Sequence, residues 1–162
     1  MRGSWIDLAY TTPVLDCDRA ATPARVWDVL ADGWSLPSWV VGASRIRAVE
    51  PGRPAVGTCL HHSVGLWPLL LDDVTRVEKS VPEQELVLHA RAWPFGVAEV
   101  AIRIDTDGDG STVELLEHAV TAPTRWIPDR IQETAVLPRN RECLRGLVLI
   151  AESATGARTG RP

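Results

Sequence analysis

The chain has 162 residues, of which 45% are hydrophobic and 23% are charged, and its formal net charge is −4 at pH 7. This length suits a single domain with a sizeable core, and the composition is that of an ordinary globular protein. A net negative charge argues against a general nucleic-acid-binding protein, which would usually be basic. The longest apolar run, residues 64–71, is too short to span a bilayer and contains Pro68, so we expect no membrane partner.

The three cysteines, Cys17, Cys59 and Cys143, are isolated in the sequence. None of them forms a C-x-x-C pair, so the spacing predicts neither a disulfide framework nor a zinc site. Such cysteines fit a reducing cytoplasm. The first ten residues lack the apolar stretch of a signal peptide, which leads to the same expectation of a cytoplasmic protein.

The first part of the chain predicts a short strand followed by a helix. Residues 14–20 alternate as a strand does, and Thr22 and Pro23 suit the N-cap and first position of a helix. Gly33 is a natural stop for that helix. Residues 36–41 predict a second short helix.

The middle of the chain alternates between apolar and polar residues in runs separated by turn residues. This pattern is typical of antiparallel strands joined by short connections. The predicted strands are 44–50, 57–65, 69–78, 85–93, 97–106 and 111–121.

The last element is a long amphipathic helix. We place its start at Pro138, because proline in a helix interior removes a hydrogen bond, and its end at Glu152. Residues 126–137 would form a preceding turn or kinked segment, in which Ile127 and Ile131 share a face that covers a cavity. The buried stripe of the main helix would be Cys143, Leu144, Leu147, Val148, Ile150 and Ala151.

This order of elements predicts an α+β fold in which a curved antiparallel sheet wraps around the terminal helix. A cavity between sheet and helix would hold a small apolar molecule. The single domain would span residues 14–152, with an N-terminal arm at 1–13 and a flexible tail at 153–162.

Several short motifs follow one another along the chain: residues 21–30 with Trp39, then 57–62, 67–68, 92–94 and 139–140. The sequence resembles the START-like (SRPBCC) proteins, and within them the bacterial polyketide cyclase/dehydrase branch. That resemblance implies a helix-grip fold of the Bet v 1 type, a seven-stranded antiparallel sheet around a long C-terminal helix, and a cavity for hydrophobic small molecules. The family has no universal catalytic motif, so the resemblance assigns no catalytic residue.

The apolar residues of each strand show which polar residues point inward, because neighbours two apart share a face. In strand 57–65, Leu60 and Val64 bring His62 inward. In strand 69–78, the apolar residues Leu69, Leu71 and Val77 bring Asp73 and Thr75 inward. The phase of strand 85–93 is ambiguous, since a bulge would reverse its later residues.

Val113 and Leu115 bring Glu117 inward in strand 111–121 and leave His118 outside. His62, Asp73 and Glu117 are therefore the candidate catalytic residues. Buried in an apolar pocket, they could act as general acid and base in aldol cyclisation or dehydration of a polyketone. The alternative is that they bond to each other, to the backbone or to water, and orient a ligand.

Aromatic and aliphatic side chains supply the predicted walls of the cavity. The predicted ligand-binding set therefore combines apolar wall or lid residues with polar contacts. Its members are Trp39, Trp67, Trp93 and Ile131 for the wall or lid, and His62, Asp73, Thr75 and Glu117 for the polar contacts.

Two patterns that resemble metal sites are discounted. His61 and His62 are adjacent in a strand and point to opposite faces, so they cannot chelate one ion. Residues 105–110 resemble an EF-hand loop, but the position that needs a bidentate glutamate is Leu116. We therefore expect a hairpin turn there, no metal and no cofactor.

Three functions remain open from the sequence. The first is binding of a hydrophobic, aromatic or polyketide-like molecule, and the second is a cyclase or dehydratase. The third is a protein-partner module whose cavity is filled by side chains. A monomer and a homodimer are both compatible with the sequence.

Overall fold

The computed structural model describes residues 14–17, 21–66, 68–92, 96–120 and 129–156. Seven strands form one sheet in the order β1-β7-β6-β5-β4-β3-β2, and every pairing is antiparallel. The strands are β1 (Val14–Cys17), β2 (Ala43–Val49), β3 (Cys59–Leu66), β4 (Leu69–Val81), β5 (Glu85–Ala92), β6 (Gly96–Asp107) and β7 (Gly110–Ala119). The helices are α1 (Pro23–Ala31), α2 (Leu36–Trp39) and α3 (Asp129–Gly156). The predicted α+β helix-grip fold is confirmed.

The first helix begins where its sequence predicted. Thr22 is the N-cap residue in an extended conformation, and Pro23 follows at the first helical position. Its buried side chains, Val26, Val29 and Leu30, recur at the spacing that places them on one face.

Hairpins account for most of the sheet. Asp107 pairs with Gly110 at the end of the β6–β7 hairpin, which confirms the hairpin turn predicted for residues 105–110. The strands β3 and β4 likewise run antiparallel in continuous register from Leu66 opposite Leu69 to Cys59 opposite Arg76. From β2 to β7, each strand therefore pairs with the next strand in the sequence, whereas β1 pairs with β7.

The inner face of the sheet and α3 share one hydrophobic core. Alternate residues of β3 to β7 bury their side chains there, as the sequence pattern predicted. The helix contributes the predicted stripe, of which Leu144, Leu147 and Ala151 have no exposed surface. The fully buried sheet residues include Leu60, Val77, Leu86, Ile102 and Val113.

The predicted start of the last helix is wrong. The helix α3 begins at Asp129 and continues through Pro138, which is exposed. A proline removes one backbone hydrogen bond and crowds the preceding turn, but both effects are local. The helical turns on each side therefore continue across it. The helix also extends to Gly156, past the predicted domain end at Glu152.

One further expectation, that Leu71 belongs to the buried set of β4, is also wrong. Leu71 lies two residues from buried Asp73, but its side chain is 42% exposed. It lies near the start of β4, opposite Val64, and is not among the residues that line the cavity. Alternation predicts which face a side chain occupies, but it does not predict how far along the strand that face is covered.

The contact between α2 and α3 is unusually close at Gly146. A Cβ atom at this position would lie 3.0 Å from the Cα and 3.2 Å from the Cβ of Trp39. Those neighbouring atoms belong to the helix backbone and its first side-chain carbon, so they cannot move aside independently. Gly146 therefore allows α2 to rest against α3 and fixes the position of Trp39.

We expect Gly146→Val to separate the two helices and to lower the free energy of unfolding by about 1–3 kcal/mol, because overpacking forces backbone shifts. Arg145→Val is the matched control, since the Arg145 side chain is 65% exposed. That control should change stability by less than about 0.5 kcal/mol. Denaturant unfolding of both variants measures the difference, and equal effects would show that the close approach is unimportant.

Candidate functional site

A cavity of about 300 Å³ lies between the inner face of the sheet, α2 and the middle of α3. Most of its wall is apolar, and its polar side chains fall into two groups. Its lining residues are Leu36, Trp39–Ala43, His62, Val64, Gly65, Asp73, Thr75, Leu88, Ala90, Ala98, Val100, Ile102, Leu115, Glu117, Arg139, Asn140 and Cys143.

The first polar group, which we call the β3–β4 cluster, consists of His62, Asp73 and Thr75. His62 and Asp73 are directly opposite each other in the antiparallel register, and Thr75 lies two residues further along β4. Exposed fractions are 4% for His62, 6% for Asp73 and 4% for Thr75. The parity of the strands therefore places all three on the cavity side, as predicted.

Within the cluster, a 2.9 Å hydrogen bond joins His62 Nε2 and Thr75 Oγ1. Burial lowers the pKa of His62 below its usual value, and Arg47 and Arg53 add to this effect, while Asp73 opposes it. The imidazole is therefore neutral at pH 7. A neutral ring can take up a proton from a partner or pass one on, depending on its tautomer.

The pKa of Asp73 is shifted in the opposite direction to that of His62. Burial raises the pKa of its carboxyl group above the usual value, against the opposing effects of the Val74 N–H, His62 and nearby arginines. The backbone N–H of Val74 donates to Oδ1 at 2.7 Å. Among the described residues, no other donor reaches this carboxylate, so its second oxygen is available on the cavity side.

The cluster is held from outside the cavity by Arg47 of β2. Its Nη2 donates to the carbonyl oxygens of His62 and Asp73, each at 3.3 Å. Its Nε lies 3.3 Å from Oδ1 of Asp72. One side chain thus joins the backbones of β3 and β4 at the point where His62 and Asp73 face each other.

The second polar group lies where β7 meets α3. Arg139 forms an ion pair with Glu117, whose side chain is 14% exposed, and its Nη2 also donates to Oδ1 of Asn140 at 3.2 Å. Asn140 is only 3% exposed and lines the cavity. Glu117 therefore points inward as predicted, but its charge is balanced by Arg139.

The cavity also contains a thiol that is poorly suited to act as a nucleophile. The N–H of Val41 lies 3.3 Å from Sγ of Cys143. Burial raises the pKa of Cys143, so the thiol stays protonated and unreactive at pH 7.

The predicted wall residues are described only in part. Trp39 lines the cavity and is 5% exposed. Trp67 and Trp93 lie outside the described residues, and so does the side chain of Ile131, although its backbone belongs to α3. The phase of β5, which the sequence left ambiguous, places Leu88 and Ala90 on the cavity side and His89 on the outer face, where it lies 2.9 Å from Glu99.

His61 and His62 point to opposite faces of β3, as predicted. His61 lies 3.6 Å from Glu50 outside the cavity, whereas His62 is buried within it. Across the described residues, no cluster of three or more His, Cys, Asp or Glu side chains is arranged to hold a metal ion. No helix in the described ranges has the length and apolar composition needed to cross a membrane.

Sequence reasoning missed Arg139, Asn140 and Cys143 as cavity residues. The helical spacing offered a signal, because Asn140, Cys143 and Leu147 recur at the intervals of one helical face. A polar residue that continues an apolar stripe is a candidate for the wall of a cavity. The partnership of Arg139 with Glu117 joins distant parts of the chain and has no local signal.

Comparison with known proteins gives the family. Residues 17–152 match the model of the family described as polyketide cyclase/dehydrase and lipid transport. The chain belongs to this family. No curated protein sequence matches it.

Solved structures share the fold at low sequence identity. Protein NE0264 of Nitrosomonas europaea is 14% identical, with a TM-score of 0.69 over 90% of this chain and 96% of that one. Protein CV1439 of Chromobacterium violaceum is 18% identical, with a TM-score of 0.62 over 87% and 97% of the two chains. Ara h 8.0201 is 12% identical, with a TM-score of 0.59 over 90% and 97%. These similarities show the fold alone.

The raised pKa of Asp73 leads to a prediction about stability and pH. At about pH 7 the folded protein buries a charged carboxylate, and as the pH falls the folded state takes up a proton before the unfolded state does. Asp73→Asn removes that charge and keeps an acceptor for Val74. We therefore expect this variant to have a higher Tm than the parent at about pH 7, and the difference to shrink as the pH falls through the raised pKa.

Asp72→Asn is the control for this measurement, because the Asp72 side chain is 69% exposed on the other face of the same strand. Its effect on Tm should be small and nearly independent of pH. Thermal unfolding of the three proteins from neutral to acid pH provides the test. A lower Tm for Asp73→Asn at neutral pH would show that the buried charge is well compensated.

Proposed function

We propose that this protein binds a small hydrophobic molecule, aromatic or polyketide-like, in the cavity between the sheet and α3. The observation that supports this proposal is an open volume of about 300 Å³ with an apolar wall and polar side chains confined to two groups. Ligand sites generally combine a mostly apolar pocket with a few placed polar groups.

The size of the cavity favours a compact ligand. Binding pockets range from about 300 to 1,000 Å³, so this one is at the lower end. An apolar cavity of about 150 Å³ in another protein takes up benzene, which suggests a molecule of about two fused rings here. In this proposal Trp39 contacts the apolar body of the ligand, together with Trp67, Trp93 and Ile131. The polar contacts are His62, Asp73, Thr75 and Glu117.

Native mass spectrometry of the purified protein, mixed with an apolar extract of its source cells, tests the proposal. We expect the protein to retain a small apolar adduct. Ala98→Phe places a ring in the cavity and should abolish the adduct without unfolding the protein, since Ala98 lines the cavity.

The matched control is Ala101→Phe in the same strand. Ala101 is three residues away and therefore faces the outer side of β6, so this variant should keep the adduct. Circular dichroism confirms that both variants are folded. An adduct that persists in Ala98→Phe would mean that the ligand binds elsewhere, and no adduct in the parent would contradict the proposal.

A second candidate function is acid/base catalysis by the β3–β4 cluster. The specific observation is that His62 and Asp73 face each other in the cavity while burial lowers the pKa of one and raises that of the other. Such opposed shifts bring two groups closer to sharing a proton at neutral pH. In a dehydration, the base would remove a proton next to a carbonyl group, a double bond would form, and the departing hydroxyl group would leave as water after protonation.

Conversion of a bound β-hydroxyketone tests this candidate. We expect the parent to release a product lighter by one water, and His62→Gln and Asp73→Asn to retain binding but lose conversion. His61→Gln on the outer face is the control and should convert normally. Binding without any conversion by the parent would leave the protein as a carrier or sensor and remove the enzyme hypothesis.

The third hypothesis, a partner module with a cavity filled by side chains, requires a closed core. The open volume of about 300 Å³ gives it no support.

For location and assembly we propose a cytoplasmic protein, monomeric or homodimeric, with its domain at residues 14–152. The free thiols of Cys59 and Cys143 are compatible with a reducing compartment.

A further inference from the structure

The carboxyl group of Asp73 is only partly satisfied, and on the same wall Nε1 of Trp39 and Nδ1 of His62 have no hydrogen-bond partner among the described residues. Asp73 is 6% exposed, and within the described part of the chain its one hydrogen bond comes from the Val74 N–H to Oδ1. A buried carboxylate normally accepts several hydrogen bonds, because desolvation of a charged group is costly. The second oxygen of Asp73 therefore lacks the donor that would offset its burial.

The neighbouring side chains do not supply that donor. Thr75 is engaged with His62 at 2.9 Å, and Arg47 directs Nη2 to backbone carbonyl oxygens and Nε to Asp72. Arg47 therefore approaches the backbone of the cluster and does not bond to the Asp73 carboxylate. A hydrogen-bond donor on a bound molecule would supply the missing partner of the second Asp73 oxygen.

The charges around the cavity restrict the chemistry of that molecule. Among the described lining residues the one permanently charged cation is Arg139, which is paired with Glu117. A ligand carboxylate would find no unpaired cation on this wall and would face the carboxylates of Asp73 and Glu117. Like charges at short range in a buried site are strongly unfavourable.

A ligand cation is disfavoured for a different reason. Arg47 and Arg91 are both close enough to Asp73 to stabilise its charge. A third positive charge in the same region would be attracted by Asp73 but repelled by both guanidinium groups, and it would lose its own hydration on entering the cavity. A neutral donor carries neither penalty.

We propose that the ligand carries a neutral hydroxyl group, phenolic or enolic, that donates a hydrogen bond to the free oxygen of Asp73. Its apolar body lies against the apolar part of the wall, formed by residues such as Leu88, Val100 and Leu115. This inference rests on the proposed binding function and specifies its ligand class. It distinguishes hydroxylated rings from hydrophobic carboxylic acids of the same size.

Three probes with the same two-ring body test the proposal: naphthalene, β-naphthol and β-naphthoate. Binding to the parent is measured by ligand-observed NMR titration. We expect β-naphthol to bind about tenfold more tightly than naphthalene, the effect of one hydrogen bond to a charged acceptor. β-Naphthoate should bind more weakly than β-naphthol.

Asp73→Leu provides the variant test, because leucine has a similar shape and no acceptor. It should reduce the affinity for β-naphthol to that for naphthalene. Asp72→Leu, on the other face of β4, should keep the full tenfold preference. Circular dichroism establishes that both variants are folded, and naphthalene binding reports an intact cavity.

The outcomes separate the two proposals. Equal binding of naphthalene and β-naphthol by the parent overturns the hydroxyl inference and leaves the binding function in place. Tightest binding by β-naphthoate also overturns it, since the wall would then accept an anion. Failure of all three probes to bind overturns both the inference and the proposed cavity function at this ligand size.

Discussion

The packing of the α3 stripe against the inner face of the sheet is the interaction on which the rest of the structure depends. Leu144, Leu147 and Ala151 are fully buried in the core that they share with strands β3 to β7. These residues lie in the C-terminal half of the helix. The part of α3 before them carries Arg139 and Asn140, which cannot fill a hydrophobic core. The same helix therefore closes one end of the sheet and leaves a cavity at the other.

The position of α2 completes this arrangement. Because Gly146 has no side chain, α2 can approach α3 closely enough for Trp39 to form part of the cavity wall. A small residue in the helix thus determines where a large aromatic residue sits. Packing in this region stabilises the fold and defines the site at the same time, so the two roles cannot be assigned to separate residues.

The sequence predicted most of the fold and one side of the site. Period-two alternation located the strands, and parity placed His62, Asp73 and Thr75 on the inner face, because a strand has only two faces. It could not predict the pairing of Arg139 with Glu117, which depends on how far α3 extends along β7. It also missed the exposure of Leu71, because alternation predicts the face of a side chain but not what covers that face. The rule that proline is excluded from helix interiors misplaced the start of α3 at Pro138.

The β3–β4 cluster is costly to the fold in a way that the core is not. Asp73 is buried with a single hydrogen bond. Burial raises the pKa of Asp73 and lowers the pKa of His62, so it favours the neutral form of each side chain. Residues of similar shape without charge would pack at this wall more favourably. Arg47 nevertheless holds the two backbones so that these side chains face each other. Unfavourable polar groups that are held in place by their neighbours are typical of sites where stability is exchanged for binding or chemistry. The cavity wall beside β4 is therefore the part of this protein where function is best sought.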